Sequence, residues 1–192
     1  MGELFKRDVE PPKKLDNVFE YLSRSLRAKL NKYFFELLKP YIKKGDVLNI
    51  GCGSHSFGNV RLDIYKTTVS NVVGDARFMP FPDEIFDSAL ALSVLHHIPN
   101  YWVAIREIRR VLKKGGTIVG WEPNIFHPYL IALTYQLRLT NERPLNPRHI
   151  RRVLEANGLK IIFEDYFFAG RFVYNFIKSC RVSYCLLTIV SY

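Results

Sequence analysis

Cysteine is scarce. The three residues Cys52, Cys180 and Cys185 are widely spaced in a chain of 192. An odd count with no second pair argues against a disulfide framework and against a zinc site, and both absences suit a reducing cytoplasm. No long uninterrupted apolar run occurs. The most apolar stretch, Phe172 to Tyr192, is broken by Lys178 and Arg181, and the remainder is too short to span a bilayer; a buried terminal strand is expected there, with peripheral membrane contact as the lesser reading. Charges from Glu3 to Glu10 stand where a secretory signal would need an apolar segment, so a cytoplasmic chain is expected. Internal repeats and low-complexity linkers are missing. Acids are outnumbered, 18 against 28 lysines and arginines, for a net charge of +10. The excess favours acidic partners such as nucleic acid, anionic lipid or an acidic metabolite. A generally basic surface explains it equally well. The cations sit in small clusters (Lys13-Lys14, Lys43-Lys44, Arg109-Arg110 with Lys113-Lys114, Arg148 with Arg151-Arg152), none long enough to act as a binding tail.

Apolar residues make up 48% of the chain, enough for a sizeable core in one domain. Pro11-Pro12 and Lys13-Lys14 make residues 1–15 a polar arm. From Asp16, apolar residues recur at three- and four-residue steps from Val18 to Leu38, which predicts one or two amphipathic helices ending near Pro40. Strand and helix signals then alternate. Strands are expected at 46–50, 60–64, 71–73, 86–95 and 117–121. Helices are expected at 102–112, with Gly115-Gly116 as its stop, at 130–139, and at 147–157, with Gly158 as its stop. Two further strands are expected at 159–168 and 183–190. The alternation predicts an α/β fold with a mostly parallel sheet, whose ligands bind beyond the carboxyl ends of the strands.

Those strand ends carry a pattern. The first runs into Asn49-Ile50-Gly51-Cys52-Gly53, where glycine permits a sharp turn and close approach of backbone to ligand. The second ends on Asp63, a carboxylate able to accept from both hydroxyls of a ribose. The third ends on Asp75-Ala76, a carboxylate and an amide suited to an adenine edge. Each alone reads as an ordinary turn or cap. Three in succession, on one edge of one sheet, read as a nucleoside site.

Val47-Leu48-Asn49-Ile50-Gly51-Cys52-Gly53 resembles the first motif of class I S-adenosylmethionine (SAM)-dependent methyltransferases. Asp75 to Asp87, Ser93-Val94-Leu95-His96-His97-Ile98-Pro99 and Arg109 to Gly116 resemble successive motifs of the type-11, UbiE-like group, and Glu122-Pro123-Asn124 also occurs in it. The resemblance implies a Rossmann-like doubly wound sheet with an antiparallel last strand behind an N-terminal helical lid. It divides the domain into helices at 16–44, a SAM-binding core at 45–125 and a substrate side at 126–192. It implies that Asn49, Gly51, Cys52 and Gly53 line the methionine and ribose part of SAM, that Asp63 binds the ribose with Ile64 against the adenine face, that Asp75 and Ala76 read the adenine edge, and that Ser93 meets the methionine amino group.

Two departures stand out. Asn49 occupies a position where the group usually has an acid. Only Ser54 to Asn59 separate the glycine turn from the second strand, so the first crossover is too short for the usual helix, and Tyr65 to Ser70 is short as well. A more open cofactor site or a dimer contact are possible consequences. His96 and His97 stand where a general base could act, although packing at the strand end explains His97 without catalysis. His127, Tyr129, Tyr21 and Arg24 are looser acceptor-side candidates. The acceptor is expected to be a small or lipid-like molecule, with RNA as the alternative and a non-catalytic partner subunit as a third reading; no metal is expected.

Overall fold

The computed structural model describes residue 32 and residues 35–126, 144–167 and 185–191. The polar arm, the body of the N-terminal helices with Tyr21 and Arg24, and the 130–139 helix with His127 and Tyr129 lie outside them. The chain divides into two units, Met1–Leu37 and Leu38–Tyr192, and the second holds all that follows.

Its elements are β1 (Val47–Ile50), β2 (Val60–Asp63), β3 (Val72–Val73), β4 (Phe86–Leu92), α1 (Tyr101–Val111), β5 (Leu112–Pro123), α2 (Pro147–Ala156), β6 (Lys160–Phe167) and β7 (Cys185–Ser191). The sheet order is β3-β2-β1-β4-β5-β7-β6. Strands β1 to β5 are parallel; β7 runs antiparallel to both β5 and β6. This is the Rossmann-like doubly wound sheet with its antiparallel last strand inserted next to β5. The order reverses at β1 and β4, so the ligand crevice belongs at their carboxyl ends.

Register divides the residues between two faces. Leu48, Val60, Ala89 and Ile118 form one row, and Ile50, Leu62 and Ala91 the next. Against them α1 lays Ala104, Ile105, Ile108 and Val111, spaced three and four apart and buried, as an amphipathic helix must. Helix α2 starts as its sequence predicts: Asn146 caps by accepting the Arg148 N–H at 2.9 Å, Pro147 opens the first turn, and Gly158 at φ +74° ends it.

The opposite face explains the short crossovers. Its rows hold Asn49, Arg61, Leu90 and Val119, then Val47, Ser88 and Thr117. Neither residues 51–59 nor residues 64–71 contain a helix. Polar strand side chains hold loop backbone there instead. Asn49 Nδ2 donates to the carbonyls of Phe57 at 3.2 Å and His55 at 3.4 Å. Arg61 donates to those of Gly58 and Val69 at 2.8 and 2.6 Å. The Ser88 and Thr117 hydroxyls bond each other at 2.8 Å and receive the incoming chain through the Lys43 N–H and the Tyr41 carbonyl. Residues 67–70 close on themselves, with Thr67 Oγ1 accepting the Ser70 N–H and Ser70 Oγ accepting the Thr67 N–H, both at 2.9 Å. Two crossovers without a helix leave loop backbone groups in need of partners, and these side chains supply them.

The helix before Pro40 ends at Leu38, as expected, and Pro40 sits in a 3-10 turn, Lys39–Tyr41. Two boundaries differ from the sequence reading. Strand β4 stops at Leu92, three residues before the end of the apolar run. The pair Gly115-Gly116 does not stop α1, which already ends at Val111. It lies in β5, where residues 113–116 bulge opposite Asp87. Gly115 takes φ +75°, and a Cβ on Gly116 would lie 2.9 Å from the Lys113 carbonyl oxygen, so the bulge requires both glycines.

Candidate cofactor site at the carboxyl ends of the strands

The glycine turn leaves β1 at the switch point. Gly51 and Gly53 take φ +59° and +53°. Gly51 packs against the loop that follows β4: a Cβ there would lie 2.1 Å from Val94 Cγ2. Around Gly53 a Cβ would meet nothing within 4 Å, so this glycine faces open space. Between them Cys52 is buried, its N–H donates to the Leu62 carbonyl, its sulfur lies 4.0 Å from Thr67 Oγ1, and burial pushes the thiol pKa up. Cys52 thus contributes backbone to this edge, not a reactive thiolate.

Asp63 closes the turn from β2. One carboxylate oxygen accepts the Gly53 N–H at 2.8 Å and the other the Tyr65 N–H at 3.0 Å. A carboxylate offers about four lone-pair positions, so one remains on each oxygen, side by side, as a vicinal diol requires. Ile64 follows, more than half exposed. Asn49, by contrast, is buried and spends its amide N–H groups on the 55–57 loop. His55 stacks on Phe57 in that loop, and burial lowers its pKa.

Beyond β3, Arg77 grips Asp75. Its Nε spans both carboxylate oxygens at 3.0 Å, an Nη donates at 2.6 Å and its own N–H at 2.8 Å. The guanidinium holds the Asp75 carboxyl below the usual carboxylate range. An adenine amino group would have to compete with this pair, whereas the backbone of buried Ala76 is unaffected by it. Glu107 and Arg110 of α1 fasten the rest of the loop: Glu107 accepts the Met79 N–H at 3.0 Å, and Arg110 donates to the Met79 and Phe81 carbonyls.

The end of β4 is held by a residue with no role in the sequence reading beyond its place in Glu-Pro-Asn. Glu122, from the end of β5, is 4% exposed. One of its oxygens accepts the N–H groups of Val94 and Leu95 at 3.0 and 2.8 Å. The other accepts those of His96, from the backbone at 3.4 Å and from ring Nδ1 at 2.7 Å. This clamp fixes the turn in which Ser93 adopts φ +58°, an uncommon conformation for a residue with a side chain. The available signal was a single carboxylate inside the apolar run Thr117 to Pro123, since a buried charge needs several donors.

His96 is therefore buried and committed to Glu122. His97 is exposed and lies against it, with ring centroids 3.8 Å apart and the rings tilted by 42°. Next to them Tyr101, whose phenol is pushed up to about 12 by burial and by the Glu122 charge, donates to His149 Nδ1 at 2.6 Å and ties α1 to α2. Among the described residues no cluster of His, Cys, Asp and Glu could hold a metal ion.

The strand order, the open glycine turn and the remaining lone pairs of Asp63 form an edge able to accept a nucleoside, and comparison with known proteins shows what the chain resembles. Residues 56–120 match the "Methyltransferase domain" model of the type-11 group. Over this stretch, about a third of its length, the chain is similar to the class I methyltransferases of that group. Their cofactor is SAM, and the donors and acceptors at these strand ends fit it. The chain is 48% identical over 58 residues to the demethylmenaquinone methyltransferase of Staphylococcus haemolyticus, covering 30% of this chain and 24% of that one. It is 43% identical over 70 residues to the sterol 4-C-methyltransferase of Caenorhabditis elegans, covering 36% and 20%. Across the first curated relatives it spans less than half of their length. A SAM-dependent methyltransferase from Archaeoglobus fulgidus has the same fold, with TM-score 0.70 at 17% identity over 91% of this chain and 99% of that one. Among the described residues no helix is long and apolar enough to cross a membrane.

Proposed function

We propose that this methyltransferase transfers the SAM methyl group to a small, lipid-like acceptor at the carboxyl edge of β4 and β5. The observation that carries the cofactor half is Asp63, with one accepting position left on each oxygen beside the open Gly53 turn. The acceptor half is supported by the quinone and sterol substrates in the names of the two relatives, and by the exposed side chains of Ile125 and Phe126 just beyond β5.

In this reading Asp63 holds the ribose hydroxyls, Ile64 covers one adenine face, the Ala76 amide and Asp75 meet the adenine edge, and the backbone of Gly51, Cys52, Gly53 and Ser93 lines the amino-acid end. Asn49 supports the turn from behind by fixing residues 55–57. When bound, SAM supplies an electrophilic methyl group on a sulfonium. The residues of the chain need to align the acceptor with it and exclude water, because the displacement neutralises charge. A base is required only for an acceptor that must lose a proton. His97 is the accessible histidine of the pair for that role; His96 serves the Glu122 clamp.

Replacing Asp63 by alanine is expected to weaken SAM binding by about 1–3 kcal/mol, because both ribose hydroxyls lose their acceptor. Isothermal titration of the wild type and variant with SAM measures it. Equal affinities would place the nucleoside elsewhere, and no heat or thermal shift in the wild type at millimolar SAM would favour the non-catalytic reading.

A further inference from the structure

Helices α1 and α2 both start at the carboxyl edge of the sheet and pack side by side. Where they start, Trp102 and His149 meet with ring centroids 6.5 Å apart, and Trp102 is 46% exposed. One turn along α1 stands Arg106; one turn along α2 stands Arg152; Arg148 adjoins His149. All three arginines are exposed. Elsewhere among the described residues Arg77 is ion-paired to Asp75, Arg110 to Glu107 and Asp83, and Arg151 to Glu164. Among the described residues Arg106, Arg148 and Arg152 have no carboxylate partner. Glu155, at i+3 from Arg152, forms no ion pair with it, and the Glu107 carboxylate, which also feels the Arg106 charge, is bonded to Arg110 and the Met79 N–H.

A tryptophan that is 46% exposed beside three arginines without an ion pair presents both an apolar ring and positive charge to solvent. It matches the boundary of an anionic bilayer, where indole rings settle at headgroup depth and guanidinium groups meet phosphate. Nucleic acid would also satisfy the charge. The carboxyl edge beside this face, however, exposes the aliphatic and aromatic Ile125 and Phe126, which suit acyl chains better than a phosphate backbone. We propose that the Trp102–Arg106–Arg148–Arg152 face docks the chain on an anionic membrane surface, with the open edge of the sheet turned towards the lipid. The inference rests on the lipid-like acceptor proposed above, and membrane docking would bring such an acceptor to the site without a passage through water.

The test uses the full chain with vesicles of phosphatidylcholine alone or mixed with phosphatidylglycerol. The chain has two tryptophans, and Trp121 is buried, so a shift of emission on binding reports Trp102. Sedimentation with the anionic vesicles only, a blue shift of emission on binding and release by about 0.5 M salt are expected. Each arginine near an anionic surface is worth roughly fivefold in partitioning, so Arg106→Gln/Arg148→Gln/Arg152→Gln should bind roughly a hundredfold more weakly. Lys44→Gln/Lys114→Gln/Lys160→Gln removes equal charge at the opposite, amino-terminal edge of the sheet and should retain binding within a few fold. Equal losses in the two triple variants, unshifted emission or no sedimentation would each overturn the docking face. Salt-sensitive binding to a single-stranded RNA oligonucleotide without vesicle binding would overturn it in favour of nucleic acid. SAM titration without vesicles is independent of all these results, so a failure of docking and a failure of the methyltransferase reading remain distinguishable.

Discussion

Replacing Glu122 by alanine is expected to cost about 3–5 kcal/mol of stability, the range for removing one partner of a buried charged network. Four donors converge on its carboxylate, and the side chain is 5% exposed, so neither water nor a neighbouring group can replace it in an alanine variant. For a domain of this size the loss corresponds to a fall in melting temperature of about 10 °C. Cofactor binding should suffer with it, because the turn that holds Ser93 at φ +58° rests on those bonds. Glu122→Gln separates shape from charge: it keeps one accepting oxygen but turns an amide NH2 towards donors, and should fall between alanine and wild type. Thermal denaturation with and without SAM measures both effects. A Glu122→Ala protein melting at the wild-type temperature, with unchanged SAM affinity, would remove the clamp from this account.

Substituting Gly51 should have an effect of similar size by a different route. At φ +59° any other L-residue carries about 1–2 kcal/mol of backbone strain. The added Cβ also falls 2.1 Å from Val94 Cγ2, and forced repacking of that kind costs a further 1–3 kcal/mol, roughly. Gly51→Ala should therefore be destabilised by about 2–5 kcal/mol, the sum of these two costs. Gly53→Ala provides the contrast. Its φ is nearly the same, but its Cβ points into open space, so stability should drop only by the backbone strain while SAM affinity falls sharply. Combining Gly51→Ala with Val94→Ala should recover the repacking part of the loss. Denaturant unfolding and SAM titration on the four proteins check this, and a Gly51→Ala chain as stable as wild type would show that the two loops do not meet as described.

Much of the architecture was legible from local patterns. Short, mainly apolar runs bounded by glycine or acid located all five parallel strands, because the central ones are largely buried. The three- and four-residue steps from Ile105 to Ile108 and on to Val111 and Leu112 located α1, and Asn146-Pro147 with Gly158 bracketed α2. The shortness of the first two crossovers was a matter of counting residues. What misled was local as well: Gly115-Gly116 looks like a helix stop, yet the helix has already ended and the glycines serve a bulge opposite Asp87. Local sequence cannot distinguish two places that both need glycine.

By itself, then, the sequence determined the α/β class, the strand ends that are candidates for chemistry and the family they resemble, since these follow from periodicity and from residues adjacent in the chain. Only the tertiary structure decided what those residues do. Asn49 looks from the sequence like a weakened cofactor ligand, but the amide faces a loop with two carbonyls in need of donors, which the usual acid could not supply. Asp75 looks free, but Arg77 holds it. Glu122, an unremarked carboxylate, proves to fasten the β4 turn from 26 to 28 residues away. A hydrogen bond depends on position in space and not on separation along the chain, so the partners of a buried polar group appear only when the strands are laid side by side.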